Sequence, residues 1–114
     1  MKKQNETIGL YEFCGAFERS QYRDNFTSEG LRVIFDYIEE CEREMREPIK
    51  LDVVAVACDY QEADYKRIAD YYSFDLDLDG DQLDEDSVDL IRLYLKKRTT
   101  VIGEVSGGFV FVNF

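Results

Sequence analysis

Between Leu51 and Cys58 the chain reads LDVVAVAC, six consecutive small or β-branched apolar residues (Val53 to Cys58) behind a single carboxylate at Asp52. A run that is apolar on both alternating faces is the pattern of a strand covered on both sides. It predicts the centre of a sheet, with the flanking helical patterns supplying the apolar surface that covers it. With 114 residues, the chain has the length of one domain able to bury a core without a metal or disulfide.

The remaining elements are predicted from their spacing. Leu10, Phe13, Cys14 and Phe17 recur at i, i+3, i+4 and i+7 and place a first helix over Thr7 to Ser20, weakened by Gly9 and Gly15. Thr27 stands where an N-cap belongs, Glu29 suits the first turn, and Phe26 with Leu31 makes a hydrophobic staple. The second helix then runs to about Arg46 with Leu31, Ile34, Phe35, Ile38, Cys41 and Met45 inward, and Pro48 lies past its end. After the central strand, Asp59 is placed to cap a third helix carrying Tyr65, Ile68, Ala69 and Tyr72 on one face. A fourth helix spans Ser87 to Lys97 through Val88, Ile91 and Leu95, with basic residues at its C-terminal end. Thr99 to Val105 and Phe109 to Phe114 are strand-like runs around Ser106, Gly107 and Gly108, which signals a hairpin. The predicted class is α/β in the α+β sense, ordered α-α-β-α-α-β-β. It has a three-stranded mixed or antiparallel sheet with helices packed on it and a C-terminal β-hairpin.

The charge restricts what such a domain does. Twenty-five acidic residues against 14 basic give a net −11, a field that repels nucleic acid and anionic membranes and attracts basic surfaces. Sixteen Phe and Tyr residues in all are more than a disordered chain carries. The chain has no histidine, which removes the commonest general base, the usual partner of a Ser or Cys nucleophile and the commonest zinc ligand. No phosphate-cradling glycine motif is present, and the reading is non-enzymatic. Cys14, Cys41 and Cys58 are odd in number and share no C-x-x-C spacing, so they are expected as buried free thiols of a cytosolic protein. The start, MKKQNETIG, lacks the apolar core of a signal peptide.

Two acidic tracts stand out. In the first, Asp75, Asp77, Asp79, Asp81, Asp84, Glu85, Asp86 and Asp89 fall within fifteen residues that contain no basic side chain. One reading is calcium, since Asp75, Asp77, Asp79 and Gly80 follow the start of an EF-hand loop and Asp86 falls at its twelfth position. Gln82 and Leu78 depart from that pattern, although Asp at the last position is similar to dockerin modules. A second reading is a solvated connection in which Asp84 or Asp86 caps the fourth helix. The third is phosphate mimicry, because alternate carboxylates of an extended Asp75 to Asp81 would lie about 6.6 Å apart on one side. The second tract is the C-terminal half of the second helix, where Glu39, Glu40, Glu42, Glu44 and Glu47 oppose the helix dipole, with Arg43 and Arg46 as local partners.

The series Phe13 and Phe17, then Asp24 to Leu31 (DNFTSEGL), Tyr37 to Glu40 (YIEE), Leu51 to Val54 (LDVV), Cys58 to Tyr60 (CDY) and Thr99 to Ile102 (TTVI) resembles a group of small acidic accessory proteins of phages and mobile genetic elements. The resemblance spans most of the chain. It implies a setting in which such proteins block host defence nucleases by anti-restriction or anti-CRISPR action, and it supplies no catalytic residue. The expected function is therefore an acidic binding protein, without a cofactor, that mimics DNA phosphates toward a basic, nucleic-acid-handling host protein. The alternatives are a calcium module using Asp75, Asp77, Asp79 and Asp86, or an interaction protein of other purpose.

Overall fold

The computed structural model describes residues 1–4, 6–71 and 85–114. The chain is α+β, with three helical elements preceding the main sheet, two helices inserted in it and a hairpin closing it. In order the elements are β1 (Lys2–Lys3), β2 (Glu6–Thr7), α1 (Leu10–Glu18), α2 (Ser28–Met45), α3 (Val53–Asp59), β3 (Tyr60–Asp64), α4 (Tyr65–Tyr71), α5 (Glu85–Arg98), β4 (Val101–Val105) and β5 (Gly108–Val112). Strands β1 and β2 form a small antiparallel ribbon, and the main sheet is antiparallel in the order β3-β5-β4.

The run expected to be the central strand is a helix. Asp52 carries the reason: its Oδ1 accepts the Ala55 N–H at 3.0 Å, a side-chain N-cap that starts α3. Val53, Val56 and Ala57, at helical spacing, face inward, while Val54 is 54% exposed. A short apolar run satisfies either period, and the cap decides between them. The strand begins only at Tyr60, directly after α3, so Asp59 ends a helix and does not open one. The cap of α4 is Asp64, whose Oδ1 accepts the Arg67 N–H at 2.7 Å.

The centre of the sheet is β5, GFVFV. It pairs with β3 (Gln61 with Phe111, Ala63 with Phe109) and with β4 (Glu104 with Phe109). Its alternating side chains serve two cores. Val110 packs into a cluster with Phe13, Phe17, Phe26, Leu31, Ile34, Ile38 and Val56 from the α1, α2 and α3 side. Phe109 and Phe111 pack with Ile68, Ile91 and Leu95 from α4 and α5. Phe109, Val110 and Phe111 are all at 0% exposure, the both-faces burial that the sequence pattern predicts for 51–58. The sheet therefore lies between two helical layers. On the α2 side the approach is close at Gly103, where a Cβ would come within 2.4 Å of Val33. The hairpin turns through Gly107 at φ +81°, a conformation suited to glycine.

Helix α2 agrees with its predicted start. Thr27 caps it by accepting the Gly30 N–H at 3.1 Å, and Phe26 and Leu31 are both buried beside it. The helix stops at Arg46, which takes a left-handed φ of 57° two residues before Pro48. Met45, expected inward, is exposed because it lies in the last turn beyond the sheet-covering part. Helix α1 starts at Leu10, later than Thr7, because Glu6 and Thr7 pair with Lys2 and Lys3 in the N-terminal ribbon. No disulfide joins the cysteines; Cys14 and Cys41 are half-buried, but Cys58 lies on the outer face of α3 and is exposed. No helix among the described residues is long and apolar enough to cross a membrane.

Candidate acidic interaction surface

The carboxylates of α2 divide by what they touch. Glu39 and Glu42 turn toward the chain's first residue: the Met1 ammonium lies 2.8 Å from Glu39 Oε1 and 2.5 Å from Glu42 Oε1. The other oxygen of Glu42 accepts the Ile49 N–H at 2.7 Å. Burial works against the Glu42 charge, but hydrogen bonds from the Met1 ammonium and the Ile49 N–H, with the charges of Met1 and Lys2, hold its carboxyl below the ordinary range. Burial likewise opposes the Met1 ammonium, and Glu39 and Glu42 outweigh it, so its pKa is raised. These two glutamates stabilise the fold internally.

Glu40, Glu44 and Glu47 are exposed, as is Asp36 one turn earlier. Asp36, Glu40 and Glu44 stand at i, i+4 and i+8, one above the other on a helix face at about 6 Å intervals. Asp36 was not singled out in the sequence because it lies outside the dense glutamate run; the four-residue spacing is the signal that finds it. Among the described residues none of these four carboxylates makes an ion pair, and neither Arg43 nor Arg46 pairs with them. Glu47 lies beyond the helix end.

Helix α2 is fixed at its other end by a carboxylate from β3. Glu62 Oε1 accepts the Thr27 N–H at 2.8 Å and Glu62 Oε2 accepts the Thr27 hydroxyl at 2.7 Å. This does from across the sheet what the third helical residue does in a capping box. That third residue is Gly30, and a Cβ there would lie 1.8 Å from Glu62 Oε1. Glu29 Oε2 accepts the Ser106 N–H at 3.0 Å, tying the same helix end to the β4–β5 turn. The acidic face is thus carried by a helix anchored at both ends.

The other tract is only partly within the described residues. Asp75, Asp77, Asp79, Asp81 and Asp84 lie outside them. Glu85 and Asp86 are exposed in the first turn of α5, where negative charge favours the helix dipole; Asp86 is therefore inside the helix and is not its cap. Asp89 pairs with Arg92, whose Nη2 and Nε also reach Glu104 at 2.8 and 3.2 Å. The Arg92 guanidinium lies 5.7 Å from the centre of the Phe109 ring, so it braces α5 on the sheet. Of the calcium set, Asp86 alone is described, and the described residues contain no group of three or more His, Cys, Asp or Glu side chains able to hold a metal.

Elsewhere, burial pushes Tyr60 up to about 12, with Tyr37, Cys41 and Asp59 adding to it. Burial, with help from Glu18, also raises Cys14 and keeps it a thiol at neutral pH. A hollow of about 420 Å³ beside the N-terminus of α2 is lined by Arg23, Asp24, Glu62, Asp64 and Arg67 among others. Two of its carboxylates, Glu62 and Asp64, are already hydrogen-bonded as backbone caps. Comparison of the chain with protein-family models, curated proteins and solved structures finds no match.

Proposed function

We propose that this is a non-enzymatic acidic binding protein that occupies the nucleic-acid-binding surface of a basic partner. The observation that carries the reading is the unpaired line Asp36, Glu40 and Glu44 on a helix held at both ends. A carboxylate about every 6 Å along α2 falls close to every second phosphate of a DNA strand, since phosphates on one strand recur every 3.4 Å of axis. In water two such neighbours repel by roughly 0.7 kcal/mol, and Glu44 in the last turn, with Glu47 just past it, also sits at the unfavourable end of the helix dipole. Basic side chains of a partner relieve both costs on binding.

The net charge of −11 supports association with basic surfaces over nucleic acid itself or an anionic membrane. The resemblance to accessory proteins of phages and mobile elements supports a defence complex of the host cytosol as that partner, blocked by an anti-restriction or anti-CRISPR action. Glu85 and Asp86 give α5, which packs in the other helical layer, an acidic first turn of its own, and Asp75 to Asp84 join that second tract on sequence grounds.

The test is capture of host proteins by the immobilised chain at two salt concentrations, repeated with D36N/E40Q/E44Q. Exposed pairs contribute about 0.2 to 1 kcal/mol each, so the triple change should weaken binding by up to about 3 kcal/mol and flatten its salt dependence. The fourfold change of Asp75, Asp77, Asp79 and Asp81 to Asn measures the other tract in the same way. Unchanged affinity and salt slope in both variants would refute the reading.

A further inference from the structure

Met1 is part of the core and of an ion-paired cluster. It is 3% exposed, its side chain joins the core cluster that contains Ile8 and Ile38, and its ammonium rests on Glu39 and Glu42. Around it, Lys2 N–H donates to the Ile49 carbonyl at 2.9 Å, Leu51 N–H to the Lys2 carbonyl at 2.7 Å, and Ile8 N–H to the Met1 carbonyl at 2.9 Å. The ammonium therefore joins the N-terminal ribbon, the last turns of α2 and the connection into α3. Lys2 is the other cation acting on Glu42.

We propose that, with Met1 as first residue, its α-amine is a modification-sensitive lock: the fold accepts a free ammonium at this point and rejects an N-acyl cap. Acylation by an activated acyl donor such as a thioester forms an N–C amide bond as the acyl–sulfur bond breaks; the thiol leaves with one of the ammonium's protons and a second proton goes to water. It replaces three charged donors by one neutral N–H and puts a carbonyl where the nitrogen now meets two carboxylates. Glu39 and Glu42 are then left facing each other across a site without its cation, a like-charge arrangement that is costly when half-buried. Hydrolysis of a formyl cap consumes water, releases formate and returns the amine, so the processing step that exposes the amine also completes the fold. The ordinary advantage of burying Met1 and Ile8 is common to capped and free chains; the charge is what distinguishes them.

The test uses the whole chain prepared with a free, an N-formyl and an N-acetyl Met1, by ligating a synthetic 1–13 segment at Cys14. Both capped chains should melt lower by about 4–8 °C or more, with faster hydrogen exchange at the Lys2, Ile8 and Leu51 amides. The drop should shrink in E39Q/E42Q. Equal melting of free and capped chains overturns the proposal. So does a drop confined to the acetyl form, which would trace to size and not to loss of the ammonium, or a drop undiminished in E39Q/E42Q. A second measurement does not depend on that variant folding. In the wild-type chain the Met1 amine should react with an amine-directed acylating reagent at least tenfold more slowly than in the free 1–13 peptide; equal rates would refute it.

Discussion

Gly30→Ala offers a test in which the usual rule and this structure disagree in sign. Replacing a helical glycine by alanine ordinarily stabilises by up to about 1 kcal/mol. Here the new methyl would lie 1.8 Å from Glu62 Oε1 and 2.6 Å from Glu62 Cδ, so the carboxylate must withdraw. Glu62 is flexible and its movement alone costs little. What is lost are its bonds to the Thr27 N–H and hydroxyl. Both are exposed, so about 1 kcal/mol each is the appropriate scale. The net is a destabilisation of about 1 to 2 kcal/mol, a fall of several degrees in melting temperature. In a Glu62→Ala background the obstruction is gone, and the same substitution should then stabilise. Thermal or urea melts of the four proteins in this cycle supply the coupling. If Gly30→Ala stabilises the wild-type chain, or has the same effect in both backgrounds, the capping role of Glu62 is refuted.

Other perturbations address other parts of the fold. Val56→Asp, at 6% exposure, should unfold the protein, since an unpaired buried carboxylate costs several kcal/mol against a total of about 5 to 15. Val54→Asp on the outer side of α3 should leave the melt almost unchanged, whereas equal damage from both would restore the strand reading of this run. The Met1 and Glu42 pair sets two pH limbs. The raised ammonium pKa contributes stability that is full below about pH 8 and is lost as pH rises through the folded-state value. The lowered Glu42 pKa contributes stability that is full above the ordinary carboxylate range and is lost as pH falls through its folded-state value. Denaturant midpoints of wild type and Glu42→Gln across pH should converge at both extremes and differ most between about pH 5 and 8; a constant difference would exclude the linkage. Reductant should leave the melting temperature unchanged, because the three thiols are free; a drop of several degrees would reveal a bridge.

Legibility varied with how many local signals agreed. At the start of α2, Thr27, Phe26, Leu31 and the apolar spacing all point the same way, and such agreement marks a dependable element. The C-terminal hairpin was equally legible from β-branched and aromatic runs around Ser106 to Gly108. The α+β class and a three-stranded sheet followed, but its centre was misplaced. The apolar run at Val53 to Cys58 fits both periods, and in the sequence Asp52 is a lone charge whose capping bond to the Ala55 N–H only the fold displays. The strand that does lie between two layers, Gly108 to Val112, has the same both-faces pattern, which the hairpin signal beside it overshadows in the sequence.

The acidic surface was harder, because sequence counts carboxylates without showing their partners. Glu39, Glu40, Glu42 and Glu44 look equivalent along the helix. Yet two of them hold Met1, a residue 38 to 41 positions away, and two face solvent. Glu62 carries no local signal at all, since its partner Thr27 is 35 residues distant. Asp36 was legible in principle, by counting four residues back from Glu40.

The central claim is that the outer carboxylates of α2 stand in for phosphates on a basic partner, and the most direct measurement is competition. Host proteins captured at low salt by the wild-type chain are challenged with increasing duplex DNA, with D36N/E40Q/E44Q run in parallel. The claim predicts that the DNA releases the captured protein in proportion to its concentration and that the triple variant captures little of it. Retention unaffected by DNA, or full capture by the triple variant, would contradict it.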